Sequence, residues 1–95
     1  MIEKYESRRI RREIRRVLLE VWDPIGVKNA PSAQDEYDGY LGQIFLLLTE
    51  GKSDDEIVSY LFWVVSENMG LSSAKASDML PTVKVLRQIQ IAQPS

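Results

Sequence analysis

Three acidic side chains and two tyrosines are interleaved in one short segment, a pattern that could carry recognition. The residues are Asp35, Glu36, Tyr37, Asp38 and Tyr40. Acids around aromatic anchors suit a basic protein partner, because opposite charge speeds encounter and aromatic rings often dominate the contact energy. The alternative is structural, since acids near a helix start also favour the positive end of its dipole by about 0.3–1 kcal/mol.

A divalent metal ion is the second chemistry open to these acids. Asp35 and Asp38 are three residues apart, so a helix would turn both carboxylates to one face. With Glu50, Asp54 or Asp55 they are similar to the acidic elements of all-helical nucleotide pyrophosphatases. Those enzymes pair E-x-x-E with a later E-x-x-D, and neither element occurs here with that order and spacing. We therefore predict no metal site and no cofactor, and an oxygen-ligand metal enzyme acting on nucleotides or phosphate esters is the alternative function.

The first helix carries an arginine-rich face that could neutralise phosphates. Its arginines are Arg8, Arg9, Arg11, Arg12, Arg15 and Arg16. Helical spacing turns most of them away from the apolar stripe and brings several close to glutamates. The expected pairs are Glu6–Arg9, Arg9–Glu13, Glu13–Arg16 and Arg16–Glu20. No aromatic residue is interleaved, so a solvated, ion-paired face is the simpler interpretation, and binding of nucleic acid or an anionic membrane ranks third.

Composition excludes several kinds of catalytic site. The chain has no cysteine and no histidine, so disulfides and thiolate metal sites are impossible and the commonest general base is missing. A Ser-His-Asp triad cannot form. No glycine-rich phosphate loop and no serine in a nucleophile elbow occurs. We therefore predict that the protein is not an enzyme.

Length and charge suit one small domain over residues 1–95. Apolar residues make up 44% and charged residues 27% of the chain, proportions typical of a folded domain. The longest nearly apolar run, 57–65, is far shorter than the roughly 20 residues that cross a bilayer. We expect no transmembrane segment and a cytoplasmic bacterial protein. The net charge of −2 combines +4 over residues 1–16 with −6 over residues 17–95.

Apolar periodicity and capping signals predict four helices. They cover about residues 3–22, 33–50, 54–69 and 73–91, with the last few residues frayed. The stripe of the first helix is Ile10, Ile14, Val17, Leu18 and Val21. Pro24 and Gly26 then suit a turn that leads into a longer loop. Ser32 is the expected N-cap of the second helix.

The later helices have clearer start signals. Ser53 and Glu56 form a capping box for the third helix, and the short link before it predicts an antiparallel hairpin with the second. Pro81 either kinks the fourth helix or starts a new segment capped by Asp78. The predicted fold is all-α, a four-helix, roughly antiparallel up-down bundle with short loops and one longer loop between helices 1 and 2.

Two glycines inside the second helix need an explanation. Gly39 and Gly42 each cost about 1 kcal/mol against alanine at such positions. Close approach of another backbone is the usual reason, so we expect a neighbour there. That neighbour could be a partner or a second copy of this chain, which leaves a homo-oligomer open.

Three motifs resemble those of a known family. W-D-P-I-G-V occupies residues 22–27, D-E-Y-D-x-Y occupies 35–40, and M-G-L ends at residue 71. Together they are similar to short bacterial helical proteins of unknown function, the YugE-like family, over about residues 10–90. Members share mainly the W-D-P element, and the family has no established activity to carry over. Folding alone would use Trp22, Asp23, Pro24 and Gly26 as a structural motif that anchors and ends helix 1.

These observations favour a non-enzymatic helical interaction module. Its partner is expected to be another, basic protein, bound through the acidic face of helix 2. An immunity or inhibitor protein is the most concrete version of this function.

Overall fold

The computed structural model describes residues 4–27, 29–33, 35–89 and 91, and all regular structure within these ranges is helical. The all-α prediction is therefore confirmed. The α-helices are α1 (Lys4–Val17), α2 (Asp38–Thr49), α3 (Asp54–Trp63) and α4 (Leu80–Arg87). Two π-helical turns follow α1 and α3, at Leu18–Trp22 and Val64–Asn68. Two 3₁₀ turns, Pro31–Ala33 and Ala76–Met79, lie before α2 and α4.

One apolar core is shared by the four helices. α1 packs against α2 and α4, while α3 packs against α4, α2 and the 3₁₀ turn at residues 76–79. The fully buried side chains of the core include Ile10, Ile14, Leu18, Ile44, Ile57, Leu61, Val64, Val83 and Leu86. In the part of the chain described here, no helix is both long and apolar enough to cross a membrane.

The π turn at the end of α1 changes which side chains are buried. The amide of Asp23 donates to the carbonyl of Leu18, five residues back, at 2.8 Å. A π turn holds one more residue than an α turn, so the residues within it rotate relative to the α-helical stripe. Leu19 and Trp22 are buried, whereas Val21 is 40% exposed. The predicted stripe is right through Leu18 and wrong at Val21.

α2 begins later than the sequence predicts. Its first residue is Asp38, and the N-cap residue Tyr37 makes no side-chain capping bond. Ser32 therefore does not cap this helix and lies in the preceding 3₁₀ turn. The reason is the side chain of Tyr37, which is drawn into the core and fixes its backbone at φ −98° and ψ 4°, outside the helical range.

Local capping chemistry is predicted well at α3. The hydroxyl of Ser53 accepts from the Glu56 amide, and the Glu56 carboxylate accepts from the Ser53 amide, both at 3.2 Å. The predicted capping box is confirmed.

The first and third helices, each with its π turn, end close to the expected residues, at 22 and 68. The expected start of the first helix at residue 3 lies outside the described residues.

The fourth helical segment is shorter than predicted. It begins with the 3₁₀ turn at Ala76 and its α-helical part ends at Arg87 instead of residue 91. Pro81 lies in the first turn of α4 and so starts the helix without kinking it. The expected cap by Asp78 is wrong, because the N-cap residue of α4 is Met79, which makes no side-chain capping bond. The Asp78 carboxylate instead accepts from the Lys75 amide at 3.0 Å, at the start of the 3₁₀ turn. The expected fraying falls mostly on residues 90 and 92–95, which lie outside the described residues.

The two glycines of α2 have no close neighbour within the described chain. A Cβ atom built at Gly39 or Gly42 meets nothing within 4 Å. The expectation that another backbone approaches them is therefore wrong for the described residues. The space around α2 here is open.

Alanine at Gly42 should therefore stabilise the protein. We expect Gly42→Ala to raise the free energy of unfolding by about 0.5–1 kcal/mol, because alanine loses less backbone entropy in a helix interior. Gly51→Ala is the matched control. Gly51 has a φ of +69°, where a side chain costs about 1–2 kcal/mol, so this variant should be less stable. Urea unfolding measures both, and a Gly42→Ala variant less stable than the parent would contradict the open helix face.

Candidate functional site

The two motifs singled out in the sequence meet in space. The Asp23 carboxylate accepts hydrogen bonds from the Tyr37 hydroxyl at 2.8 Å and from the Val27 amide at 2.7 Å. The same hydroxyl accepts from the Ile25 amide at 3.1 Å. Asp23 holds a left-handed backbone conformation, with a φ of +30°, which aspartate tolerates better than most residues. We call the Asp23–Tyr37 contact, with its two amide bonds, the turn lock.

Aromatic packing surrounds the turn lock. The Trp22 ring lies 5.3 Å from the Tyr37 ring and 6.2 Å from the Tyr40 ring, which meets it edge-on. The Trp22 indole N–H donates to the sulfur of Met79 at 3.4 Å. Trp22 thus connects the end of α1, the start of α2 and the turn before α4.

The turn lock keeps the Tyr37 hydroxyl protonated. Tyr37 is only 2% exposed, and this burial raises its pKa well above the usual value. The Ile25 amide favours the ionised form and opposes the shift, whereas the hydrogen bond and charge of Asp23 raise the pKa further. A neutral hydroxyl is the form that can donate to the Asp23 carboxylate.

Asp38, the first residue of α2, binds α1 through its side chain. Its carboxylate accepts two hydrogen bonds from the Arg15 guanidinium, one of them at 2.9 Å from Nε. This pairing is the largest cause of the raised pKa of Arg15. The segment 35–38 is therefore held at its C-terminal end, where the turn lock fixes Tyr37 and Arg15 binds Asp38, and the Asp38 amide donates back to the Asp35 carbonyl at 3.1 Å.

No family model, curated protein or solved structure matches this chain. The YugE-like resemblance stays a prediction.

The predicted partner-binding residues fall into two groups. Tyr37 and the half-buried Tyr40 face the Trp22 ring, and the Tyr37 hydroxyl is engaged by the turn lock. Asp35 and Glu36 are exposed. The tyrosine rings pack inward, and the Tyr37 hydroxyl, which was expected to reach a partner, is bonded within the chain. Exposed Ile25, at 42%, lies beside them and had no place in the sequence-based site.

The expected pairing along α1 is largely present. Arg9 contacts Glu6 at 2.9 Å and Glu13 at 2.7 Å, and Arg16 contacts Glu20 at 3.2 Å. These three of the four predicted pairs are confirmed. Arg9 and Arg16 are therefore paired with glutamates of their own helix.

The remaining arginines of α1 line a groove, which the sequence pattern did not indicate. Arg8, Arg11, Arg12 and Arg15 form its arginine-bearing wall, and Asp38 and Leu41 of α2 complete it. Its volume is about 400 Å³. We call this space the arginine groove. Periodicity places these arginines away from the core, but only the packing of α2 beside α1 creates a concave surface.

Acidic side chains are dispersed over the described part of the chain. Within it, no group of three or more aspartates and glutamates is close enough to hold a metal ion. Asp38 is paired with Arg15, and Asp54 is paired with Arg87. The absence of a metal site stays a prediction for the whole protein.

Proposed function

We propose that this protein is a non-enzymatic interaction module that binds a basic protein partner through Asp35 and Glu36. An immunity or inhibitor protein is the most concrete version. The observation that carries the proposal is the fixation of the acidic turn directly after its two carboxylates, where Tyr37 enters the turn lock and the adjacent Asp38 binds Arg15. The Asp38 amide closes the turn by donating to the Asp35 carbonyl at 3.1 Å, and the side chains of Asp35 and Glu36 are exposed.

Fixation of this turn favours binding for an energetic reason. A flexible loop loses conformational entropy when it is ordered by a partner, and a turn that is already held loses less. Tyr37 contributes to this function from inside, by holding the turn, and not as a contact to the partner. The apolar contact that tyrosine was expected to supply is available from the exposed side chain of Ile25.

Further expectations from the sequence are part of the same proposal. We infer a cytoplasmic protein of the bacterial YugE-like group, with helices in an antiparallel up-down arrangement and no catalytic activity. The short link between α2 and α3, residues 50–53, supports that arrangement.

A charge-reversal experiment tests the acidic turn. We expect Asp35→Lys combined with Glu36→Lys to weaken capture of the basic partner at least about tenfold, because each rim carboxylate would become repulsive. Stability should change by less than about 0.5 kcal/mol, since both side chains are exposed. Asp38 is left intact because a lysine there would face Arg15. The measurement is quantitative affinity capture from the native cell extract, followed by titration of the captured protein.

The control carries the same change in charge elsewhere. Glu50→Lys with Glu67→Lys alters two exposed acids outside the turn and should capture the partner like the parent. Equal capture by the Asp35/Glu36 variant and the parent would show that the acids serve only the helix start.

A further inference from the structure

The arginine groove has an excess of positive charge that the rest of α1 does not have. Arg9 and Arg16, outside it, are paired with glutamates. The side chains of Arg8 and Arg12 make no hydrogen bond or ion pair with any residue that the structure describes. The single carboxylate in the groove belongs to Asp38, and Arg15 already binds it. The groove therefore has more guanidinium donors than the protein itself uses.

Two of its arginines are held in position. The Arg11 guanidinium lies over the Phe45 ring, 4.4 Å from its centre, and its Nε donates weakly to Ser7 at 3.4 Å. Arg15 is fixed by its two bonds to Asp38. A guanidinium that is already ordered loses little side-chain entropy when it binds an anion, and its planar fork matches phosphate oxygens.

The spacing of the arginines suits several phosphates. Arg8, Arg11, Arg12 and Arg15 follow one side of α1 over two helical turns, about 10 Å along the axis at 1.5 Å per residue. The groove also borders the first turn of α2, through Asp38 and Leu41. A single phosphate could contact only part of such a row.

The size of the groove indicates a small ligand. About 400 Å³ lies within the range of small-molecule sites, roughly 300–1,000 Å³. Single-stranded nucleic acid is bound mainly on exposed aromatic platforms, and no aromatic side chain lines this groove among the described residues, since Arg11 covers the Phe45 ring.

We propose that the arginine groove between α1 and α2 binds a small ligand that carries two or more linked phosphate groups. Arg8 and Arg12 contact the phosphates first because they have no partner in the described chain. Arg11 and Arg15 contribute pre-oriented donors, and Asp38 keeps Arg15 aligned. The groove shares Arg15 and Asp38 with the fixation of the acidic turn, and the charge of Asp35 also acts on Arg15. Variants at Arg8 and Arg12 leave the acidic turn intact and therefore test the groove separately from the proposed function.

Calorimetric titration at constant ionic strength tests the proposal. The probes are sodium tripolyphosphate and a nucleoside triphosphate, with inorganic monophosphate for comparison. We expect the linked phosphates to bind the parent at least about tenfold more tightly than monophosphate. Equal affinities for tripolyphosphate and the nucleotide would indicate that the phosphate chain alone is recognised, and tighter nucleotide binding would indicate a nucleotide ligand. Both results support the groove.

Matched double variants separate the groove from general charge. Arg8→Gln with Arg12→Gln should weaken tripolyphosphate binding at least tenfold, because each charge-assisted contact contributes strongly. Arg9→Gln with Arg16→Gln removes the same charge outside the groove and should change the affinity less than about threefold. All four side chains lie on the surface of α1, and circular dichroism verifies the fold of both variants.

Four results would overturn the proposal. The first is the absence of binding by the parent, and the second is an equal loss in the two double variants. The third is equal affinity for an acidic peptide of the same charge, which would assign the groove to a protein segment. The fourth is tighter binding of single-stranded oligonucleotides with affinity rising with length, which would assign it to nucleic acid.

Discussion

Trp22→Ala should lower the free energy of unfolding by about 3–5 kcal/mol, the usual cost of removing a large buried aromatic side chain. Trp22 is only 8% exposed and contacts both Tyr37 and Met79. The cavity left behind would open between α1, α2 and α4 at once. For a domain of this size each kcal/mol corresponds to about 4–8 °C, so the melting temperature should fall by more than 10 °C.

Trp22→Phe is the matched control for this change. Phenylalanine keeps a ring against Tyr37 but loses the indole N–H that donates to Met79, and sulfur is a weak acceptor. We expect a clearly smaller loss than with alanine. Thermal and urea unfolding measure both variants, and equal losses would mean that Trp22 does not anchor this junction by its volume.

The second large effect is expected at the turn lock. Asp23→Ala should destabilise the protein by about 2–3 kcal/mol, because the Val27 amide and the Tyr37 hydroxyl both lose their acceptor. Tyr37→Phe should cost about 1–2 kcal/mol, since it removes the acceptor of the Ile25 amide. The double variant should lose less than the sum of the two, because they share one hydrogen bond. An additive result in urea unfolding would contradict the lock.

The turn lock also predicts the direction of a pH effect. The folded-state pKa of Tyr37 is raised, so its contribution to stability is fully present below about pH 10, the unfolded value, and is lost as the pH rises further. We expect the stability of the parent to fall more steeply above pH 10 than that of Tyr37→Phe. Tyr5→Phe is the control, because Tyr5 is 82% exposed. The raised pKa of Tyr60 acts equally in all three proteins.

The features that the sequence predicts correctly are contacts between residues within one or two helical turns of each other. The capping box of Ser53 and Glu56 and the ion pairs of Arg9 join residues three or four positions apart. Both follow from spacing alone. The burial of Val21 and the start of α2 were predicted wrongly because distant contacts decide them. A π turn shifts the phase at Val21, and Tyr37 leaves helical geometry to reach Asp23, 14 positions away.

The candidate sites show the same limit. The acidic segment is visible as a pattern, but the Tyr37 hydroxyl was expected to reach a partner because its contact with Asp23 depends on how the loop folds back. The arginine pattern is equally visible. Its concave shape required knowing that Asp38 and Leu41 pack beside it, and a single helix carries no signal for the position of its neighbour.

The turn lock also determines where this chain can change length. It closes a loop between Asp23 and Tyr37 in which the amides of Ile25 and Val27 belong to the lock, whereas Asn29 and Pro31 make none of its hydrogen bonds. The entropy of closing such a loop grows only with the logarithm of its length, and doubling the loop costs about 0.6 kcal/mol. Asn29 and Pro31 are exposed within it, close in sequence to the acidic turn. Evolution could therefore insert residues at this point and vary the surface beside Asp35 while leaving the four helices unchanged.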